Sequence, residues 1–235
     1  MASSGAHTLK AFDEDLEDLR AQVAALGGWA EAATREAMEA LLRLDPALAA
    51  QSLHRTEALH QLAAAVERRG LCIIALRAPM ADDLREVLAA MKIAGLIERV
   101  GDQARSIAAA IPAIDPARPL SCPRALGNLA RTATDALRTA LNAFVARDPD
   151  AADTLSDTSL AAETLYGTLL QSCLDEMRCD PRAIASAINL LFVARSLARI
   201  ADQAADLAGA VRFSVTGEDQ DTPISRPHAD LMERI

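Results

Sequence analysis

Glu98 and Asp102 lie four residues apart in the stretch Glu98-Arg-Val-Gly-Asp102-Gln-Ala-Arg-Ser-Ile-Ala108. The stretch reads as helix, so both carboxylates share one face. Like charges at that spacing cost an isolated helix roughly a few tenths of a kcal/mol, and more when partly buried unless a cation neutralises them. Two sources of that cation are open. Arg99 or Arg105 can supply it, giving a salt-bridge seam between helices. Alternatively, a metal ion is held by carboxylates from two neighbouring helices, as in di-iron bundles. Met91, Ala94, Gly95 and Gly101 share the carboxylate face, and the two glycines leave room there for a backbone, an ion or an anionic partner. A purely apolar stripe runs to one side through Ile93, Ile97, Val100, Ala104 and Ile107.

The same element returns 100 residues later as Ala198-Arg-Ile-Ala-Asp202-Gln-Ala-Ala-Asp-Leu-Ala208, with the Arg, the Asp and the Gln-Ala in matching places. The elements that carry it are also repeated. Phe12, Leu16, Leu19, Val23, Leu26, Ala30, Ala33, Ala37 and Leu41 recur at three and four, which predicts one helix from about residue 9 to 44. Gly27-Gly28 in its middle suits a close helix approach or a bend. Asp45-Pro46 ends it and opens a second helix to about Leu76, in which Gly70 is a packing notch or a fray. After Pro79, Asp82 and Asp83 are candidate caps of a third helix that reaches about Ile111.

Pro112, Pro116, Pro119 and Pro123 then break the chain, and the pattern restarts. A helix over 124–147 ends in Asp148-Pro149, the counterpart of Asp45-Pro46. A fifth runs to about Met177 and a sixth from about Arg182 to Phe213. The expected fold is therefore all-α: two tandem three-helix bundles related by internal duplication. The units are 8–112 and 124–213, with a Pro-rich connection at 113–123 and a polar tail at 214–235. A period near 100 residues fits two bundles side by side better than an open array.

Composition excludes several functions. A formal charge of −9 argues against nucleic acid, whose phosphates demand clustered Lys and Arg, and against simple adhesion to anionic lipid. Cys72, Cys122, Cys173 and Cys179 show neither CxxC pairing nor zinc spacing, and read as buried small hydrophobes in a reducing compartment. The N-terminus does not resemble a signal peptide. The longest apolar run, Leu71–Leu76, is far shorter than the ~20 residues that span a bilayer. These features predict a cytoplasmic chain without a transmembrane segment. The phosphate-loop, HExxH, Gly-x-Ser-x-Gly and Cys/His patterns are missing, so an enzyme is not expected. Amphipathic helices of this kind also occur in lipid-binding bundles, but that reading leaves the duplicated element unexplained.

The chain resembles the PhoU family of phosphate-uptake regulators over roughly residues 8–213. The resemblance is carried by Glu98-Arg99-Val100-Gly101-Asp102 and by Ala194-Arg195-Ser196 to Arg199-Ile200-Ala201-Asp202. Pro79 followed by Asp83-Leu84-Arg85, and the run from Phe12 to Trp29 with Arg20-Ala-Gln-Val, add to it. It implies that Glu98, Asp102 and Asp202 are candidate ligands for iron or zinc, and His60, by its donor chemistry, would complete a site with Glu98 and Asp102. It also implies that Arg99, Arg199, Asp83 and Arg85 are signature or interface residues. This sequence departs from the family pattern in that Ala198 replaces an acid, Thr56 and His60 stand where paired acids are expected, and Ser159 and Glu163 occupy the matching places of the second half. The implied function is repression of the phosphate-specific ABC transporter and of phosphate-starvation two-component signalling when phosphate is ample. The implied partners are the transporter's ATPase subunit and a sensor histidine kinase, and a homodimer is the expected assembly. The alternative is a metal-binding or storage bundle that uses its acidic clusters. Asp13, Glu14, Asp15, Glu17 and Asp18 begin an acidic face suited to basic segments of a partner.

Overall fold

A computed structural model describes residues 3–115 and 122–218, with side chains from residue 11 onward. The described residues form six helices and no strand: α1 (Ser3–Arg43), α2 (Pro46–Arg77), α3 (Ala81–Ala110), α4 (Pro123–Ala146), α5 (Ala151–Cys179) and α6 (Ile184–Thr216). Short 3-10 turns follow α3 (Ile111–Ala113) and precede α6 (Pro181–Ala183). Residues 116–121 of the expected connection and 219–235 of the expected tail lie outside the described residues. Ser214, placed in the tail by the sequence, is a buried residue of α6.

The Asp-Pro turns show the duplication at the backbone level. Leu44 and Arg147 are both left-handed, with φ of 49° and 55°. The next amide in each case, that of Asp45 or Asp148, donates to a carbonyl five residues back, Ala40 or Ala143, at 2.9 Å. This is the Schellman closure of a helix end. Asp45 then caps α2 by accepting from the amides of Ala47 and Leu48 at 2.8 and 3.3 Å. The start of α3 differs from the expectation. The chain leaves extended geometry at Met80, which is the N-cap and makes no side-chain cap bond. Asp82 and Asp83 therefore sit inside the first turn, where they complement the helix dipole rather than cap it.

Each half packs three helices around small and medium side chains. Leu19, Val23, Leu26 and Leu41 of α1 are enclosed with Leu59 of α2 and with Ile93, Ile97 and Ile107 of α3. Ala30, Ala33, Ala37 and Ala40 are fully buried, and side chains this small let helix axes approach closely. Gly27 is such a place: a Cβ there would lie 2.4 Å from Leu141 of α4. Gly70 is likewise a packing notch rather than a fray, filled by Met91. The central pair is α3 and α6, packed on each other. They run antiparallel, with Arg85 beside Gly217 at one end and the Asp115 amide bonded to Ser186 at the other. α1 and α2 pack on α3, α4 and α5 pack on α6, and α1 meets α4 across the seam between the halves.

A buried acid ties that seam. Glu86 of α3 is 8% exposed and receives Arg20 of α1 and, at 2.8 Å, Arg147 at the end of α4. The hydrogen bond to Glu86 holds the Arg20 guanidinium above its ordinary pKa, with burial opposing. Two sequence expectations are corrected. Only Cys173 is buried, its thiol pushed up to about 11 chiefly by desolvation. Cys72 and Cys179 are exposed, and Cys122, at the start of α4, is only partly buried against the core. The stretch Pro181–Thr216 is long and apolar enough to cross a membrane by length and composition, unlike Leu71–Leu76. Half of its most apolar window is buried in the bundle, and α6 earns its apolar character as the central helix packed on α3, α4 and α5.

Candidate signature site on the paired central helices

In the first half the cation expected beside Glu98 and Asp102 comes from neither arginine. The side chain that meets both carboxylates is His60 of α2. The Nδ1 atom of His60 lies 2.7 Å from Glu98 Oε1 and its Nε2 lies 3.3 Å from Asp102 Oδ1. An imidazole donates to both only when both ring nitrogens carry a proton. All three side chains are partly open, at 34%, 39% and 49% for His60, Glu98 and Asp102. Arg99 and Arg105 are exposed and, among the described residues, make no ion pair with these carboxylates. Arg99 follows Glu98 by about 100° around the helix, so it projects off the shared face. Asp102 turns toward His60 of α2. Gly101 does not make room for a ligand either, since a Cβ there would press on Leu59 at 3.0 Å. Gly95 has open space beside it.

The second half answers the same positions with different chemistry. Asp202 accepts from Ser159 Oγ of α5 at 2.6 Å. Glu163, in the place of His60, receives Arg195 Nη1 of α6 at 2.6 Å. The Arg195 guanidinium also lies over the Tyr166 ring, 5.2 Å from its centroid. Ala198, the counterpart of Glu98, is fully buried. The positions of Ser159 and Glu163 were visible in sequence, but the role of Arg195 was not. Its signal is faint, a cation one turn ahead of the missing acid.

The donor types at the first copy suit Zn²⁺ or Fe²⁺. The arrangement does not. The imidazole lies between the carboxylates with one nitrogen turned to each, whereas ligands to zinc share one point at about 2.0–2.2 Å. At the second copy Asp202 keeps a serine and Glu163 keeps an arginine. Among the described residues no three of His, Cys, Asp and Glu are grouped so as to hold a metal ion. As placed, Glu98, Asp102, His60 and Asp202 do not fit one.

The remaining signature residues are spread out. Arg99 and Arg199 stand exposed on α3 and α6, one from each copy, and neither is ion-paired among the described residues. Asp83 is exposed in the first turn of α3, about 22 Å along the helix from Glu98 at 1.5 Å per residue. Arg85 pairs with Asp82 at 2.5 Å rather than with Asp83. Its Nε is buried without a partner.

The PhoU domain family model matches residues 23–111 and 126–211, one match per repeat. The chain belongs to the PhoU family. A Zymomonas mobilis protein described as "Phosphate-specific transport system accessory protein PhoU homolog" is 38% identical over 217 residues, 92% of each chain. A Caulobacter vibrioides protein of the same description is 33% identical, over 97% of this chain and 99% of its own length. The crystal structure of PhoU from Pseudomonas aeruginosa superposes with a TM-score of 0.82 at 29% identity, covering 88% of this chain and all of that one. A Streptococcus pneumoniae PhoU structure, described as a phosphate transport system regulatory protein, matches in fold at 24% identity and a TM-score of 0.84. The two matched segments place His60, Glu98 and Asp102 in the first PhoU domain, and Ser159, Glu163, Arg195 and Asp202 in the second.

Proposed function

We propose that this chain regulates a phosphate-specific transport system. It represses the ABC transporter and the phosphate-starvation two-component response when phosphate is ample, acting from the cytoplasm by docking rather than by catalysis. The observation that carries the reading is full-length similarity, through both repeats, to relatives described as accessory proteins of that system. The proposed partners are the transporter's ATPase subunit and a sensor histidine kinase, and the proposed assembly is a homodimer. Arg99 and Arg199, exposed on the two central helices, are the polar anchors we assign to docking. The acidic start of α1 contributes less than its charge run suggests. Asp15 is held by Arg69 and Arg77 at 2.9 Å each, and Asp18 by Arg69 at 3.2 Å, whereas Asp13 and Glu17 stand exposed.

Removing the chain from cells grown in ample phosphate tests this directly. Phosphate uptake and the starvation response are expected to rise; a silent response with unaltered uptake overturns the proposal. The second reading is a bundle that stores or uses iron or zinc. It draws on the meeting of His60, Glu98 and Asp102, and requires His60 to release one of its two partners. Metal analysis of the purified chain, with His60→Ala beside it, separates the two readings: stoichiometric metal lost in the variant supports the metal reading.

A further inference from the structure

The seam between α1 and α4 opens into a groove of about 450 Å³. Met38 and Ala130, both buried, form its floor, and Leu42 stands 56% exposed at its side. Its polar lining is mainly arginine: Arg35 and Arg43 from α1, Arg131 and Arg138 from α4. In a chain of net charge −9 this is a local reversal of sign. Two carboxylates also line the groove, and each is already engaged, Glu39 by Arg43 at 2.7 Å and Glu31 by Arg138 at 2.6 Å. Arg131 bonds to the side-chain oxygen of Asn128 at 3.0 Å. Neither Arg131 nor Arg35 has an acid partner among the described residues. The unneutralised charge therefore sits on Arg35 and Arg131, one on each wall, with apolar surface between them.

We propose that this groove docks an acidic amphipathic helix of a partner protein. The helix lies between α1 and α4, its apolar face on Leu42 and Met38 and its carboxylates on Arg35 and Arg131. Planar guanidinium forks suit carboxylates. From Glu31 to Arg43 the α1 wall runs about 18 Å at 1.5 Å per residue. That is three helical turns, enough for anchors at i, i+3 or i+4, and i+7. A nucleic acid is a poorer match, because the floor is apolar and two arginines without an acid partner are too few for a continuous polyanion. The inference deepens the regulatory reading by giving one docking surface its chemistry, and rests on that reading only for the cellular role.

The probe is a fluorescein-labelled, helix-forming peptide of three to four turns, with Leu on one face and Glu on both flanks. A twin carries Lys in place of Glu. By fluorescence anisotropy the Glu peptide binds at least about tenfold more tightly than its twin, the equivalent of one or two charge-assisted hydrogen bonds. Arg35→Glu with Arg131→Glu reverses that preference, and Leu42→Asp weakens both peptides. Equal binding of the two peptides, or binding indifferent to Leu42→Asp, overturns the proposal. So does a dimer that Leu42→Asp splits in sedimentation, since a second copy would then occupy the groove. In cells, the Arg35→Glu/Arg131→Glu chain loses repression in ample phosphate. Full repression by that chain removes the groove from the mechanism. A deletion strain that stays repressed removes the regulatory reading instead, and leaves the peptide preference standing.

Discussion

The two copies of the signature share a backbone and differ in chemistry. In the first, one imidazole serves two carboxylates on α3 from the neighbouring helix. In the second, a hydroxyl serves Asp202, and a separate Arg–Glu pair stacked on Tyr166 fills the space next to it. Glu98 is 39% exposed where its counterpart Ala198 is fully buried. What survived duplication is the apolar seam of α3 and α6 and the closure of each Asp-Pro turn, because a core transmits any change of volume. The polar positions differ between the copies, yet the signature carboxylates have a partner in each, and leaving one unmatched costs more than replacing the pair.

Substitutions that move one copy toward the other sharpen this contrast. The largest effect is expected for Ala198→Glu, which puts a carboxylate where the first copy has an open one but the second is closed; a loss of about 3 kcal/mol follows from burying the charge. Glu98→Ala, the reverse exchange, is expected to cost under about 1 kcal/mol because its pair is partly solvated. Urea denaturation of both variants measures the difference, and equal losses would show that the two settings are equivalent after all. Next comes Arg195→Ala, at about 2 kcal/mol. Its side chain and that of Glu163 are 25% and 19% exposed, so the variant strands a mostly covered carboxylate and removes a cation over an aromatic ring. His60→Ala is smaller, about 1 kcal/mol or less, because the carboxylates it leaves behind reach water. A shift in midpoint for His60→Ala larger than for Arg195→Ala would invert the ranking. Ser159→Ala comes last, with one hydrogen bond lost and about 0.5–1 kcal/mol expected.

Helix number, the repeat offset and the apolar stripes were legible in the sequence because proline and three-four periodicity act locally. The stripe Ile93, Ile97, Val100, Ala104, Ile107 is buried throughout. The partners of the charges were legible only in part: His60 was grouped with Glu98 and Asp102 as a candidate ligand, but not as the partner that bridges them. His60 precedes Glu98 by 38 residues, and the arginines that seemed closer in sequence point elsewhere. Glu86 is harder still. An acid in the first turns of a helix reads as surface, and only the folded chain brings Arg20 and Arg147 to it from 66 and 61 residues away. The groove of arginines needs two helices from different repeats, so no window of sequence contains it.

If the proposed restraint of phosphate signalling runs through docking surfaces, the signature acids serve as partners of neighbouring helices rather than as ligands to an ion. Cells whose only copy carries Glu98→Ala and Asp102→Ala, grown in ample phosphate with a phosphate-starvation promoter driving a reporter, put that to the test. A reporter as quiet as with the unaltered chain is the expected result. A reporter as active as in the deletion strain, from a variant that melts normally, would contradict it.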